Sequence, residues 1–314
     1  MAGRSDAPGW VGLVLGVGLV WGLTYALYPV GLRSVGPLWL AALRFDTFCA
    51  GAFVACWAVD GGVRIPATWR DAAAIATYAG LNIVLHNLAT IGGSAHVPVA
   101  VLGILAGLTP LLTAALSPLV LPQARPSLRL VAGLLAGFGG VAVLTLARPG
   151  PLDVTVSAWT FVVFLGFLAW ALGSVLVKAA ASPMPSLSVG FWAALVAVAI
   201  LQPLALGLEP APRVSLPLAG VVLFIALVGG IGGFLGWMRL VRGFGPAHAS
   251  LASLVSPAVA SVAAAALLGQ PLGWAHLVAY VLVGLGLVAA VRELAHGAVR
   301  KEPAPAPGEA VEMT

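Results

Sequence analysis

The stretch 38-LWLAALRFDTFCAGAFVACWAV-59 decides how this chain is read. It is long and apolar enough to cross a bilayer, which takes about 20 residues as a helix. Yet Arg44 and Asp46 sit inside it. A charge held at that depth costs from about 2.5 kcal/mol upward, so charges within spans face protein, pair with a neighbour, or carry function.

The surrounding sequence has the same character. Hydrophobic residues make up 61% of the 314 and charged residues 8%, against roughly a quarter charged in soluble domains. Mean hydropathy is +1.07. A water-soluble fold of this length has no way to hide so much apolar surface. The net charge of +5 has no accompanying basic patch interleaved with aromatics, so nucleic acid is not an expected partner. Cys49 and Cys56 lie seven apart on one face of a single apolar run and read as small core residues, not as a disulfide. The N-terminal "MAGRSDAPGW" has no small-residue cleavage pattern after its apolar stretch, so the first span is expected to be retained.

Polar, Pro and Gly breaks divide the chain into ten apolar runs. They lie near residues 10–31, 37–59, 70–92, 97–121, 128–147, 157–179, 186–208, 214–239, 245–268 and 272–292. Lys and Arg accumulate in cytoplasmic loops. With the N-terminus inside, eleven of the fifteen basic residues fall in inside segments and three (Arg33, Arg148, Arg213) in outside loops; Arg44 is embedded. The expected product is an all-α, multi-pass integral membrane protein with both termini cytoplasmic.

The two halves resemble each other. "VWGLTYAL" (20–27) aligns with "AWALGSVL" (169–176) at an offset of 149, and "LTPLLTAALSPLVL" (108–121) with "VSPAVASVAAAALL" (255–268) at 147. Five helices per repeat is an odd number, so the second repeat enters the membrane inverted. Inverted repeats characterise alternating-access carriers whose substrate sits near the midplane. The expected organisation is a cytoplasmic N-terminus (1–9), a first five-helix repeat (10–147), a linker (148–156), a second repeat (157–292) and a disordered tail (293–314).

The "W-G" of helix 1, "AALRF" at 41–45 and the mid-helix prolines Pro110 and Pro257, each followed by an apolar run, resemble the EamA-like family of drug/metabolite transporters. The resemblance spans residues 10–292. It implies a ten-helix inner-membrane secondary carrier, often an exporter of amino acids or related small metabolites. One feature departs from the family pattern: where the glutamate of a Gly-Glu pair is usual at the ends of helices 4 and 9, this chain has Ala124 and Gln270.

Helix 3 carries Tyr78, Asn82, His86 and Thr90 at a spacing of four, which places them along one helical face. Polar residues in lipid face a bundle interior or a cavity. Helix 1 adds Trp21 and Tyr25, and helix 6 adds Trp170, Ser174 and Lys178. Trp21, Asn82 and Trp170 fall near mid-span. The helix 8 counterpart, "GGIGGFLGW" (229–237), predicts space beside a pocket together with Trp237 on a second wall. Trp21, Tyr25, Tyr78, Asn82, His86, Trp170, Ser174 and Trp237 are the expected substrate contacts; interface anchoring and packing are the plainer alternatives for the aromatics and glycines. Pro110 and Pro257 predict kinks or hinges, because proline removes a backbone donor and clashes with the preceding turn.

Asp46 lies about 13 Å below the outer end of its helix at about 1.5 Å per residue, and His86 about 9 Å below the end of helix 3. Arg44 and Asp46 are two apart, hence on different sides of the helix, and are not expected to pair with each other. Arg44 reads as a structural charge. Asp46, the one clearly embedded carboxylate, is the leading proton-coupling candidate with His86 beside it; a neutral, hydrogen-bonded aspartic acid is the plain alternative.

An uncoupled facilitator of small metabolites or organic cations stays open, as does a membrane-embedded enzyme. The histidines at 86, 96, 248, 276 and 296 show no metal-ligand spacing, and no cofactor is expected. Phosphorylated substrates would want Arg/Lys clamps, and only Arg44 and Lys178 are placed for one. The partners expected are a small-molecule substrate, membrane lipid and protons, with the chain a monomer or homodimer.

Overall fold

The structure is a computed structural model that describes residues 7–94, 96–97, 99–122, 126–146, 157–213, 215–268 and 272–299. Ala124, Arg148, Gln270, the 148–156 linker and the chain ends from 1 to 6 and from 300 onward lie outside them. Every regular element among the described residues is helical. Helices α1 (Ala7–Gly31) and α2 (Pro37–Asp60) are followed by a continuous rod made of α3 (Trp69–Thr77), a π-helical segment π1 (Tyr78–Leu85) and α4 (His86–Ser94). Next come α5 (Val99–Val120), α6 (Leu128–Leu146), α7 (Ala158–Ala180) and α8 (Ser186–Leu208). A second broken rod joins α9 (Leu216–Leu223), π2 (Phe224–Gly232) and α10 (Gly233–Phe244). The short α11 (Pro246–Ala249), α12 (Ala252–Leu268) and α13 (Trp274–Val299) complete the bundle.

Seven of these helices are long and apolar enough to cross a membrane, and Leu105–Val120 and Leu128–Val143 are shorter apolar helices. The surface they present is apolar: Val54 is 66% exposed, Leu119 76% and Leu206 68%. Such a surface is stable only in lipid, where backbone polar groups must be satisfied within the helix.

Helix ends are capped by local sequence. Gly36 precedes Pro37 at the start of α2, and Gly61 ends it in the left-handed conformation, φ 71°. Thr68 and Asp71 form a reciprocal capping box on α3. The α2 start is also held from afar: the Glu209 carboxylate, just past α8, accepts from the N–H groups of Leu38 (2.9 Å) and Trp39 (3.1 Å). Pro110 and Pro257 lie inside α5 and α12 as expected. Near Pro110, the hydroxyls of Thr113 and Ser117 bond carbonyls one turn back, at 2.8 and 2.6 Å, an arrangement that bends helices.

Three expected boundaries shift. The 245–268 run is broken at Ser250–Leu251, between α11 and α12. The 214–239 run extends to Phe244, and α13 continues to Val299, because "VRELAHGAV" contains no proline to stop it.

Packing pairs recur in matched form. The α1–α12 contact has its counterpart in α5–α7, and the contact of π1 and α4 with α7 in that of π2 and α10 with α1; α2 pairs with α8, and α6 with α13. In the last pair Gly133 and Gly286 meet so closely that a Cβ on Gly286 would lie 2.7 Å from the Gly133 carbonyl, a small-residue crossing typical of membrane helices.

Candidate functional site

Four helical rods bring an aromatic cluster together in the middle of the bundle. Trp170 of α7 is its hub. Its ring lies 5.8 Å from Trp21, 5.8 Å from Trp237 and 5.2 Å from His86, centroid to centroid. Tyr78 closes the far side, 5.7 Å from Trp237 and 4.8 Å from Phe234. Tilted and edge-on contacts at these separations are the favourable ones for aromatic pairs. Phe234 and Phe167, the latter 5.2 Å from His86, are members that the pattern of polar residues did not reveal.

The Tyr78–Asn82–His86 stripe meets α7 and α10, but on a π-helix. The His86 N–H reaches the Leu81 carbonyl five residues back, and the Gly233 N–H reaches Val228 likewise. The two π segments are matched in position: 224 − 78 is 146 and 232 − 85 is 147. Such wide turns are rare and gather at functional sites. Nothing in the hydrophobic periodicity signals them.

Asn82 is the tie between the π segment and α7. Its amide donates to the Trp170 carbonyl (3.0 Å) and the Ser174 hydroxyl (3.3 Å). Its carbonyl oxygen has no hydrogen-bond partner and abuts Gly173, where a Cβ would collide with it. His86 Nδ1 pairs with the Gly166 carbonyl at 3.1 Å. Thr90 bonds the His86 carbonyl at 2.7 Å, so its hydroxyl serves its own helix.

The glycines of 229–237 do not leave the space expected of them. Gly229 receives Thr24, Gly230 receives Phe48, Gly233 receives the Trp21 indole and Gly236 receives Val17. They are notches that let α1 and α2 side chains seat against π2 and α10, and Trp237 is 2% exposed within this close packing.

Exposure falls along the cluster. Tyr25, 5.9 Å from Tyr28, is 49% exposed; Trp21, His86 and Trp170 are half-buried; Tyr78, Asn82, Ser174 and Trp237 are buried. Tyr25 is thus the most exposed of these residues, and Trp237 lies at the buried end.

Arg44 and Asp46 diverge to separate partners. Arg44 Nη1 donates to the Tyr28 hydroxyl at 2.6 Å, and the guanidinium lies 5.3 Å from the Phe45 ring centre, a cation–π distance. Its hydrogen-bond partner is thus a phenol on α1. The Asp46 carboxyl accepts from the Gln202 amide of α8. It lies in a groove of about 500 Å3 with Cys49, Phe53, Phe191 and Val198. Gln202, an amide within an apolar run, was the available sequence signal for this pairing. Cys49 and Cys56 are free thiols. Among the described residues no three His, Cys, Asp or Glu gather as metal ligands.

Known proteins resemble this chain in sequence and in fold. The chain is 26% identical over 283 residues to the uncharacterized inner membrane transporter YedA of Escherichia coli, covering 88% of this chain and 87% of that protein. It is 28% identical over 287 residues to the probable amino-acid metabolite efflux pump of Salmonella typhimurium, covering 88% and 92%. It is 26% identical over 277 residues to the protein PecM of Dickeya dadantii, covering 86% and 88%. A solved crystal structure superposes with a TM-score of 0.75 at 24% identity, over 96% of this chain and 100% of that one; at this identity the likeness speaks for the fold. The model of the EamA-like transporter family matches twice, over residues 8–146 and 157–292, and the chain belongs to that family of membrane transporters.

Proposed function

We propose that this protein is a secondary-active exporter of amino acids or related small amphipathic metabolites. It resides in the inner membrane with both termini cytoplasmic, and works by alternating access between two inverted five-helix repeats. The observation that carries this reading is the convergence of Trp21, His86, Trp170 and Trp237 from four rods at mid-bundle, with exposure falling from Tyr25 to Trp237. Aromatic walls with few polar groups suit an amphipathic solute. Two further observations support the repeat: the family model matches the chain twice, and the packing pairs and π segments recur in matched form. The efflux name of the Salmonella relative favours export. Ions drive the uphill step in this reading, since the sequence contains no nucleotide-binding loop; Asp46 is the proposed proton carrier, with His86 the second proton-coupling candidate.

The test is a screen of cells overproducing the protein for resistance to toxic amino-acid analogues, followed by flux of the protective compound in reconstituted vesicles. Resistance without flux, or neither resistance nor flux, overturns the reading.

A further inference from the structure

One turn beyond Tyr78, Ser174 and Trp237, at the α7 and α10 C-terminal ends, lies a cavity of about 210 Å3 lined by Ala74, Val177, Lys178, Ser182, Met238 and Arg242, among others. It far exceeds the ~10–15 Å3 that one water requires. Two cations line it, one from the last turn of α7 and one from the last turn of α10. Lys178 Nζ donates to the Arg242 carbonyl, and Arg242 Nη2 donates to the Met184 carbonyl at 2.9 Å. Neither pairs with a carboxylate among the described residues. The acid of this region, Asp71, is engaged by the Ser182 hydroxyl (2.6 Å) and by the Thr68 hydroxyl and N–H (2.9 and 3.0 Å).

The retention of positive charge on the cytoplasmic side accounts for basic residues at loop ends in general. It does not account for two of them lining one chamber directly behind the aromatic cluster. Like charges set side by side with only neutral acceptors are a binding arrangement for an anion, because charge-assisted hydrogen bonds are roughly twice as strong as neutral ones.

We propose that this chamber is the cytoplasmic antechamber of the transport path and selects substrates bearing a carboxylate. The carboxylate takes the hydrogen bonds that Lys178 and Arg242 give to the Arg242 and Met184 carbonyls, while its apolar substituent lies against Val177 and Met238. Those two bonds tie α7, α10 and the α7–α8 turn together, so the same event loosens the closure behind Trp237. The proposal rests on the carrier reading and its orientation, and names the substrate class.

The test uses the full chain with Cys49 and Cys56 replaced by Ala and with Ala181→Cys, a position on the chamber wall, in inside-out phosphatidylcholine vesicles. Isovalerate should slow modification of the new cysteine by a thiol reagent, whereas isovaleramide and isoamylammonium should not. Lys178→Gln or Arg242→Gln should each weaken protection by about tenfold, the effect of one charge-assisted hydrogen bond, and Lys178→Arg should retain it. Equal protection by the amide, protection that survives both neutralisations, or no protection by the carboxylate overturns the proposal. Slowing that depends on added phosphatidylglycerol and ignores isovalerate also overturns it, assigning the cations to a lipid headgroup. Because labelling reads the chamber and not flux, such a failure leaves the carrier reading standing.

Discussion

The Gln202 amide of α8 donates a hydrogen bond to the Asp46 carboxyl of α2, joining two helices that occupy the same place in the two halves of the chain. This accounts for one of the two charges embedded in the 38–59 run: the carboxyl has a polar partner where lipid offers none. Arg44 is accounted for separately, by the Tyr28 hydroxyl and the Phe45 ring.

If Asp46 carries the coupling proton, Asp46→Asn keeps the shape and loses the titration. Exchange of substrate down its own gradient should then continue, while transport driven by an imposed pH gradient should be abolished. Full pH-driven transport by Asp46→Asn in reconstituted vesicles would remove Asp46 from that role, and a pH-insensitive parent would identify a facilitator.

The Asn82 tie sets up a second expectation. Asn82→Leu and Trp170→Ala should each reduce flux by about tenfold or more at equal membrane insertion, because one loosens the π segment from α7 and the other removes the hub ring. Normal flux from both at matched expression would misplace the site.

Glycine substitutions separate close approach from open surface. Gly173→Ala drives a methyl into the Asn82 carbonyl and should destabilise the protein by about 1–3 kcal/mol, the usual cost of overpacking. Gly139→Ala, with nothing within 4 Å of the added Cβ, should leave thermal stability in detergent unchanged or slightly higher, since alanine favours helix. Equal melting temperatures for the two variants would contradict the geometry around Asn82.

Glu209 bonds the first N–H groups of α2, an anion at a helix N-terminus. Glu209→Ala should cost about 1–2 kcal/mol, as removal of a capping side chain does. A thermal unfolding midpoint unchanged from the parent would show that solvent caps α2 equally well.

Orientation is checked by impermeant thiol labelling in intact cells, with Cys49 and Cys56 first replaced. Cysteines at Ser127 and Arg242 should be shielded, and one at Arg148 labelled. The reverse pattern would invert the assignment of inside and outside.

The apolar runs, their helical character and the likeness of the two halves were legible in the sequence. A membrane-embedded backbone must satisfy its hydrogen bonds within each segment, so hydropathy and local composition report the element directly. The polar stripe of helix 3 was legible for the same reason, since spacing along one rod is a local property. What each embedded polar group touches was not. Asp46 meets Gln202, 156 residues away, and Asn82 meets Ser174, 92 residues away; such pairings depend on which helices lie side by side. The glycines of 229–237 looked like room beside a pocket, and only the approach of α1 and α2 showed Thr24, Trp21 and Phe48 filling them. The π turns, likewise, carry no signal in the hydrophobic periodicity; they lie where the central rods contact α7 and α1.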